Sequence, residues 1–261
     1  MAIPPSAARG SAGQGPIPGE RHRSEWDELA AMDPLWAIMT DADKRHGGWA
    51  DDEFFATGER EVRQILDWAS VHGLPARHDR ALDFGCGVGR LTRALAGSFD
   101  RCIGVDISPT MVGRARARHA GVEGLSFAVG SGEGIEEETF DLVLTLIVLQ
   151  HLPRRSEIVR TIAALAAAVR PGGVLVLSIP NHIPALHRLQ PRPRIYRMLR
   201  RLGLGSELLY ERLGLNPIRM QALGDARLRR LLGSCGLDVV DAIVTTHGSG
   251  VRSSLYLAAR G

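Results

Sequence analysis

The sequence predicts an α/β fold built on a doubly wound, Rossmann-like, mostly parallel sheet of seven strands. From residue 80 onward, apolar segments of strand length alternate with helical segments, which is typical of a parallel sheet with helices on both faces. The strands lack a clean alternation of apolar and polar residues, and this fits burial on both sides. Only the short link HGSGVR separates the last two strands, so the last strand is predicted to be antiparallel.

The predicted core covers residues 79–180, and the sheet is completed by residues 223–261. In the core, the expected strands are RALDF, RCIGVDI, LSFAVG, FDLVLTLIV and VLVLSIP, and the helices between them include RLTRALAGSF and RSEIVRTIAALAAAVR. Pro109 suits the first position of a further helix. After residue 223 the pattern continues with a helix, DARLRRLLG, and two strands, LDVVDAIVTT and SSLYLAAR.

Two segments outside this alternation are predicted to form lids. Residues 24–78 contain a helix with Ser24 as its N-cap and a second helix over Thr57–Ser70. Residues 181–222 contain helical pieces interrupted by prolines, which predicts a helical insertion after the fifth strand. Residues 1–23 are rich in Pro, Gly, Ala and Ser and lack the apolar segment of a signal peptide, so we expect a disordered lead-in.

Composition restricts the possible classes of function. The chain has 261 residues, of which 44% are hydrophobic, and its formal net charge of +3 is too small to indicate nucleic-acid binding. Its three cysteines form no CxxC pair, so we expect neither a disulfide framework nor a metal site, and a cytoplasmic location is the default. The longest apolar run, LVLTLIVL, is shorter than the roughly 20 residues of a membrane span, so no stable membrane insertion is expected. A monomer and a homodimer are both compatible with the sequence.

The stretch ALDFGCGVGRL at 81–91 indicates a ligand site. It joins the first predicted strand to a helix, which is where open α/β sheets bind ligands, and its bare backbone permits close approach. A tight turn alone would also explain the glycines. The spacing G-x-G-x-G differs from the dinucleotide fingerprint G-x-G-x-x-G. Asp106 ends the next strand and is placed to accept both hydroxyls of a ribose, which indicates a nucleotide without specifying which one.

Four segments then resemble the class I S-adenosylmethionine-dependent methyltransferases in order and spacing: DFGCGVGRLTRAL, GVDISPTMV, FDLVLTLIVLQHLP and VRPGGVLVLSIP. The segment WDELAAMDPLWAIMTDADKRHGGWADDEFFATG also looks like the helical lead-in of bacterial small-molecule members. The resemblance implies S-adenosylmethionine as cofactor, S-adenosylhomocysteine as product, and in-line transfer of a methyl group to a small molecule. We expect an oxygen nucleophile from specialised, natural-product metabolism, and no nucleic-acid substrate.

The resemblance also implies roles for individual residues. The glycine loop would surround the methionine half of the cofactor, Asp106 the ribose and Ile107 the adenine, and the backbone of Leu146 would lie near the amino group. Family members often carry an acid facing the adenine where this chain has Ser131, so Ser131 or the neighbouring Glu133 is expected to take that contact. The predicted cofactor residues are Asp83, Gly85, Cys86, Gly87, Gly89, Asp106, Ile107, Met111, Ser131, Gly132, Glu133 and Leu146.

Histidine suits general-base catalysis near neutral pH. His151, which follows the fourth strand, is the first candidate, and bracing of the next helix is the alternative role. His182, after the fifth strand, is the second candidate and His247 the third. For closure of the N-terminal lid we consider four residues, with core packing as the alternative for the aromatic ones: Trp49, Phe54, Phe55 and Gly58.

The insertion is rich in arginine. A solvated surface, recognition of an acidic acceptor and attachment to an anionic membrane surface are all compatible with this cluster. Its members are Arg188, Arg192, Arg194, Arg197, Arg200 and Arg201.

Two other functions are weighed against methyl transfer. The same fold serves as a cofactor-binding protein that does not methylate, either accessory or cyclase-like. A nicotinamide-dependent oxidoreductase is disfavoured by the glycine spacing and by the PGG-strand layout.

Overall fold

The computed structural model describes residues 18–131 and 139–261, and it confirms the predicted α/β fold. In this part of the chain the strands are β1 (Arg80–Phe84), β2 (Arg101–Asp106), β3 (Leu125–Val129), β4 (Phe140–Thr145), β5 (Val169–His182), β6 (Asp238–Thr246) and β7 (Arg252–Ala259). They form a seven-stranded sheet in the order β3-β2-β1-β4-β5-β7-β6. Strand β7 runs antiparallel to both of its neighbours, and the other pairs are parallel, as the short link before β7 predicts.

Helices cover both faces of the sheet. The described helices are α1 (Pro18–Met32), α2 (Pro34–Ile38), α3 (Asp51–Ser70), α4 (Arg90–Leu95), α5 (Pro109–Arg118), α6 (Arg155–Ala167), α7 (Ala185–Arg188), α8 (Pro191–Arg201), α9 (Ser206–Glu211) and α10 (Asp225–Ser234). On one face α6 and α10 pack apolar side chains against the strands, and on the other face α3 and α4 do so. The strands are therefore buried on both sides, which explains their continuous apolar sequences.

The sheet creates a crevice where its strand order reverses. Strand β1 lies between β2 and β4, and the chain leaves it toward β2 on one side before crossing back to β4 on the other. The carboxyl ends of these strands therefore meet beside loops that diverge, which is the usual position of a ligand site in an open α/β sheet.

The first helix begins earlier than the sequence analysis places it. Helix α1 begins at Pro18, so residues 18–23 are helical, although we expected them to belong to a disordered lead-in that ended before Ser24. The physical reason is packing. His22 and Leu29 of this helix are buried, and their spacing of seven residues places them on one face. Residues 1–17 lie outside the described part of the chain.

The second N-terminal helix is also longer than predicted. Helix α3 begins at Asp51 instead of Thr57. Its first turn carries Asp51, Asp52 and Glu53, whose negative charges stabilise the amino end of a helix. The predicted pattern relied on the apolar face, which starts farther along the helix.

The insertion, residues 181–222, packs on helix α1. The guanidinium of Arg197 lies 3.0 Å from Glu25, that of Arg200 lies 2.7 Å from Glu28, and the Tyr196 hydroxyl donates a hydrogen bond of 2.9 Å to Glu28. Arg197 and Arg200, two of the five arginines in α8, thus pair with α1.

A second contact joins these segments at Asp33, which is buried between α1 and α2. Its carboxylate accepts hydrogen bonds from the Tyr210 hydroxyl at 2.9 Å and from the backbone N–H of His46 at 2.7 Å. A buried carboxylate needs such donors to offset its desolvation. No helix in the described residues has the length and apolar character required to cross a membrane.

Candidate functional site

A cavity of about 110 Å³ lies at the carboxyl ends of β1, β2 and β4, under α1 and α2. Nine of the twelve predicted cofactor residues line it: Asp83, Gly85, Cys86, Gly87, Asp106, Ile107, Met111, Ser131 and Leu146. Gly132 and Glu133 lie outside the described residues. The remaining one, Gly89, is not part of this lining.

The glycine loop needs glycine at two cavity positions for steric reasons. Gly85 has φ of 82° and Gly87 has φ of 55°, and both values lie in the left-handed region. A β-carbon on Gly85 would overlap the side chain of Val148, and one on Gly87 would lie 2.5 Å from Cδ1 of Ile38. The loop therefore exposes backbone to the cavity, while the side chains of Val148, after β4, and Ile38, in α2, pack against it.

Gly89 has a different task. It is the N-cap of α4 with φ of 85°, and a β-carbon there would lie 2.8 Å from the ring of Phe127. Gly89 thus shapes the start of α4 and its packing on β3, away from the cavity.

Two carboxylates, at the ends of β1 and β2, lie beside the loop. Asp83 is buried and accepts a hydrogen bond of 2.6 Å from the Thr92 hydroxyl, and burial raises the pKa of Asp83 to about 6. Asp106 accepts the N–H of Gly87 on one oxygen, at 2.9 Å, and the N–H of Ser108 on the other, at 2.8 Å. Burial also raises the pKa of Asp106. Each oxygen of a carboxylate offers about two lone-pair sites, so Asp106 retains the capacity to accept two hydroxyl groups.

The chain just after β4 has an unusual backbone conformation. Ile147 has φ of 60°, which is rare for a β-branched residue, and its N–H donates a hydrogen bond of 2.9 Å to the Ser178 hydroxyl. Leu146 and Ile147 both line the cavity. Strained backbone of this kind is concentrated at functional sites, and here it turns the chain out of the sheet toward the cavity.

Arg90 is a cavity residue that the sequence analysis missed. It is buried, donates a hydrogen bond of 3.1 Å to the Thr57 hydroxyl and forms an ion pair with Glu61 at 2.7 Å. Its Nε has no hydrogen-bond partner within the described residues. A buried guanidinium beside the glycine loop is suited to bind a carboxylate.

His151 lines the same cavity at the start of the loop that follows β4. Its Nδ1 lies 2.6 Å from the backbone oxygen of Arg219. Because a carbonyl oxygen only accepts, Nδ1 carries the proton, and the neutral ring then has Nε2 free as a proton acceptor. Burial lowers the pKa of His151, so this neutral form is favoured.

Two further residues of the cavity come from α1, in or beside the segment expected to be disordered. The ring of Trp26 lies 5.5 Å from that of His151 in an edge-on arrangement, and His22 packs against Trp26. Burial lowers the pKa of His22 to about 4, and the nearby guanidinium charge of Arg219 acts in the same direction. The spacing of His22 and Trp26 at i and i+4 was the available signal, because it places both on one helical face.

The other histidine candidates lie elsewhere. His182 is at the end of β5, where it pairs with Arg252 of β7, and His247 is exposed in the turn between β6 and β7. Neither is among the described residues that line the cavity.

The four predicted lid residues pack against the core of the N-terminal segment. Phe54 is fully buried between the rings of Trp49 and Phe55, at 5.6 and 5.4 Å. A β-carbon on Gly58 would lie 2.5 Å from the backbone oxygen of Arg90, so this glycine permits α3 to approach α4. Within the predicted lid, residues 24–78, the residues that line the cavity are instead Trp26, Ala37 and Ile38.

Known proteins with similar sequences are methyltransferases. A family model described as a methyltransferase domain matches residues 82–177. A ubiquinone biosynthesis O-methyltransferase from Xanthomonas oryzae pv. oryzae is 31% identical over 184 residues, covering 67% of this chain and 68% of that protein. A norajmaline N-methyltransferase from Rauvolfia serpentina is 29% identical over 170 residues, covering 60% of this chain and 58% of that protein.

Solved structures share the fold at lower sequence identity. Magnesium protoporphyrin IX methyltransferase from Synechocystis PCC 6803, crystallised with S-adenosylhomocysteine, has a TM-score of 0.61 and 21% identity, covering 93% of this chain and 99% of that one. An N-methyltransferase from Bradyrhizobium japonicum WM9, also with that product, has a TM-score of 0.59 and 18% identity, covering 92% and 98%.

Proposed function

This chain belongs to the class I S-adenosylmethionine-dependent methyltransferases, and we propose that it methylates a hydroxyl oxygen of a small-molecule acceptor. The observation that carries the choice of oxygen is the hydrogen bond between His151 Nδ1 and the Arg219 carbonyl, because it leaves Nε2 unprotonated in the cavity. A hydroxyl group must lose a proton as it is methylated, whereas a free amine attacks without a base.

The residues of the cavity fit the cofactor. Gly85 and Gly87 present backbone without side chains, Asp106 has acceptor capacity for two ribose hydroxyls, and Arg90 supplies a cation for the carboxylate of the methionine half. When bound, S-adenosylmethionine supplies a methyl group already activated by its attachment to a sulfonium sulfur. These assignments of individual residues are part of the proposal.

The protein's own work is then to position the acceptor, exclude water and accept a proton. Trp26 and Ile38 cover the cavity from α1 and α2, and Leu146 and Ile147 border it just after β4. His151 Nε2 accepts the hydroxyl proton, and the resulting imidazolium remains hydrogen-bonded to Arg219 through Nδ1. Orientation of the ring by a fixed backbone acceptor limits the reorganisation that this step requires.

The similar O-methyltransferases support oxygen as the acceptor atom, whereas the norajmaline N-methyltransferase shows that nitrogen acceptors occur at comparable sequence identity. A place in specialised metabolism is part of our proposal. The test is to incubate the purified chain with deuteromethyl-labelled cofactor and a matched panel of phenols and amines. Mass spectrometry should detect labelled ethers and S-adenosylhomocysteine. Labelled amines without ethers would contradict the proposal.

A further inference from the structure

A second cavity of about 390 Å³ lies between the start of α6 and two parts of the insertion, residues 183–197 and residues 219–222. Five arginines line it, and we call it the arginine groove: Arg155, Arg188, Arg194, Arg197 and Arg219. None of the described residues that line the groove is acidic, and two glutamines, Gln190 and Gln221, add amide groups. Repulsion among so many guanidinium groups is unfavourable unless anions are nearby.

Protein groups satisfy only part of this charge. Arg197 and Arg219 share Glu25, at 3.0 and 3.5 Å, and Arg188 donates a hydrogen bond of 2.9 Å to the backbone oxygen of Ile183. Arg155 and Arg194 are exposed and have no hydrogen-bond or ion-pair partner within the described parts of the chain. Burial and the neighbouring charge of Arg219 lower the pKa of Arg197, which reflects the crowding of cations.

The groove is joined to the candidate active site through one residue. The backbone oxygen of Arg219 accepts the hydrogen bond from His151, while its side chain lines the groove. A small cavity shares His22, Trp26 and His151 with the active-site cavity and Arg219 with the groove, and Glu25 also lines it. Arg219 therefore contacts the candidate base through its backbone and the groove through its side chain.

We propose that the arginine groove is an anion subsite that binds a carboxylate or phosphate group of the acceptor. The inference deepens the proposed function and rests on it for the identity of the ligand as an acceptor. Planar guanidinium groups bind both kinds of anion through paired hydrogen bonds, and Arg155 and Arg194 are the two arginines of the groove that have no partner within the described residues. Of the remaining three, Arg197 and Arg219 pair with Glu25 of α1, and Arg188 donates to the backbone of Ile183.

Inorganic pyrophosphate is a suitable probe, titrated calorimetrically into the full chain saturated with S-adenosylhomocysteine. We expect saturable binding that weakens about tenfold in R155Q and in R194Q, because each removes one charge-assisted contact. R201Q is the matched control, since Arg201 is an exposed residue at the end of α8 outside the groove, and it should bind like the unmodified chain. Equal affinity in all three variants, or no saturable binding, would overturn the proposal.

Two further measurements separate this inference from its alternatives. Pyrophosphate should inhibit turnover competitively against a phenolic acceptor that carries a carboxylate, and not against the cofactor. Flotation with phosphatidylglycerol vesicles tests a lipid headgroup as the anion source, and vesicle binding that is lost in R194Q without any pyrophosphate binding would overturn the acceptor subsite. If no acceptor is methylated while the calorimetric pattern holds, the proposed function fails and the anion site stands.

Discussion

The side chain of Ile38 occupies the space into which a β-carbon on Gly87 would project, with Cδ1 2.5 Å from that position. The contact joins α2 to the loop that carries the predicted cofactor residues. Helix α2 thus packs directly against the loop, and a substitution on one side of this contact should perturb the other side.

We expect Gly87→Ala to weaken binding of S-adenosylhomocysteine by about tenfold or more, since a left-handed φ costs a non-glycine residue about 1–2 kcal/mol and the methyl group displaces Ile38. Calorimetric titration measures the effect. Because Ile38 is one source of the conflict, adding Ile38→Ala should restore part of the affinity in the double variant. Gly113→Ala is the control, since nothing lies within 4 Å of a β-carbon there. An unchanged affinity in Gly87→Ala would contradict the steric account.

Arg90 gives a prediction that distinguishes the two ends of the cofactor. If its guanidinium binds the methionine carboxylate, Arg90→Met should weaken the binding of S-adenosylhomocysteine by about 1.5–3 kcal/mol. This is the usual contribution of a hydrogen bond to a charged group. 5′-Methylthioadenosine lacks that carboxylate, and its affinity should remain nearly constant. Glu61→Gln, which removes the ion-pair partner of Arg90 at 2.7 Å, serves as the control for local disruption. Equal losses for both ligands would assign Arg90 to packing alone.

His151→Ala should lower kcat by ~10²–10⁴, the range expected for loss of a general base, with little effect on cofactor affinity. His182→Ala is the matched control, because His182 lies at the end of β5, outside the cavity lining of the described residues. A larger loss of turnover in His182→Ala than in His151→Ala would reverse the assignment.

The pH dependence of kcat provides an independent check on the same residue. A general base must be neutral to act, so activity falls as pH decreases through its pKa. Burial lowers the pKa of His151 below its ordinary value of 6.5, so the acidic limb of the profile should lie below pH 6.5. His151→Ala should lose this limb along with most of the activity. A limb above pH 7 that persists in the variant would indicate another titrating group.

The glycine loop and Asp106 were predictable because their roles depend on local spacing around one strand and one turn. The exposed backbone of Gly85 and the position of Asp106 at the end of β2 follow directly from that spacing. His151 and His182, in contrast, both follow apolar strands and look equivalent in sequence. The difference arises because β5 pairs with β7 as far as His182, so that strand carries the histidine past the cavity edge.

The residues that the sequence analysis missed depend on tertiary placement. His22 and Trp26 face the cavity because α1 begins at Pro18 and packs over the strand ends, and an N-cap at Ser24 leaves His22 outside the helix. Arg90 follows the glycine loop as an ordinary first-turn residue, and its burial results from the approach of α3 at Gly58. Likewise, both Arg194 and Arg197 line the groove, and nothing in the arginine pattern shows that Arg197 is the one that pairs with Glu25.

His22 gives the last prediction, on stability instead of activity. Burial lowers its pKa to about 4 in the folded chain from an ordinary value of 6.5, so the unfolded chain binds a proton more readily between these values. As pH falls from 6.5 to 4, the free energy of unfolding should therefore decrease, with about 3 kcal/mol attributable to His22 at about 1.4 kcal/mol per pKa unit. Urea denaturation at pH 7 and pH 4.5 measures this, and His22→Gln should lose most of the acid-dependent decrease that His22 causes. His247→Gln, at an exposed position, should retain the decrease of the unmodified chain. If both variants showed the same decrease, the imidazole of His22 would not be the group that causes the loss of stability in acid.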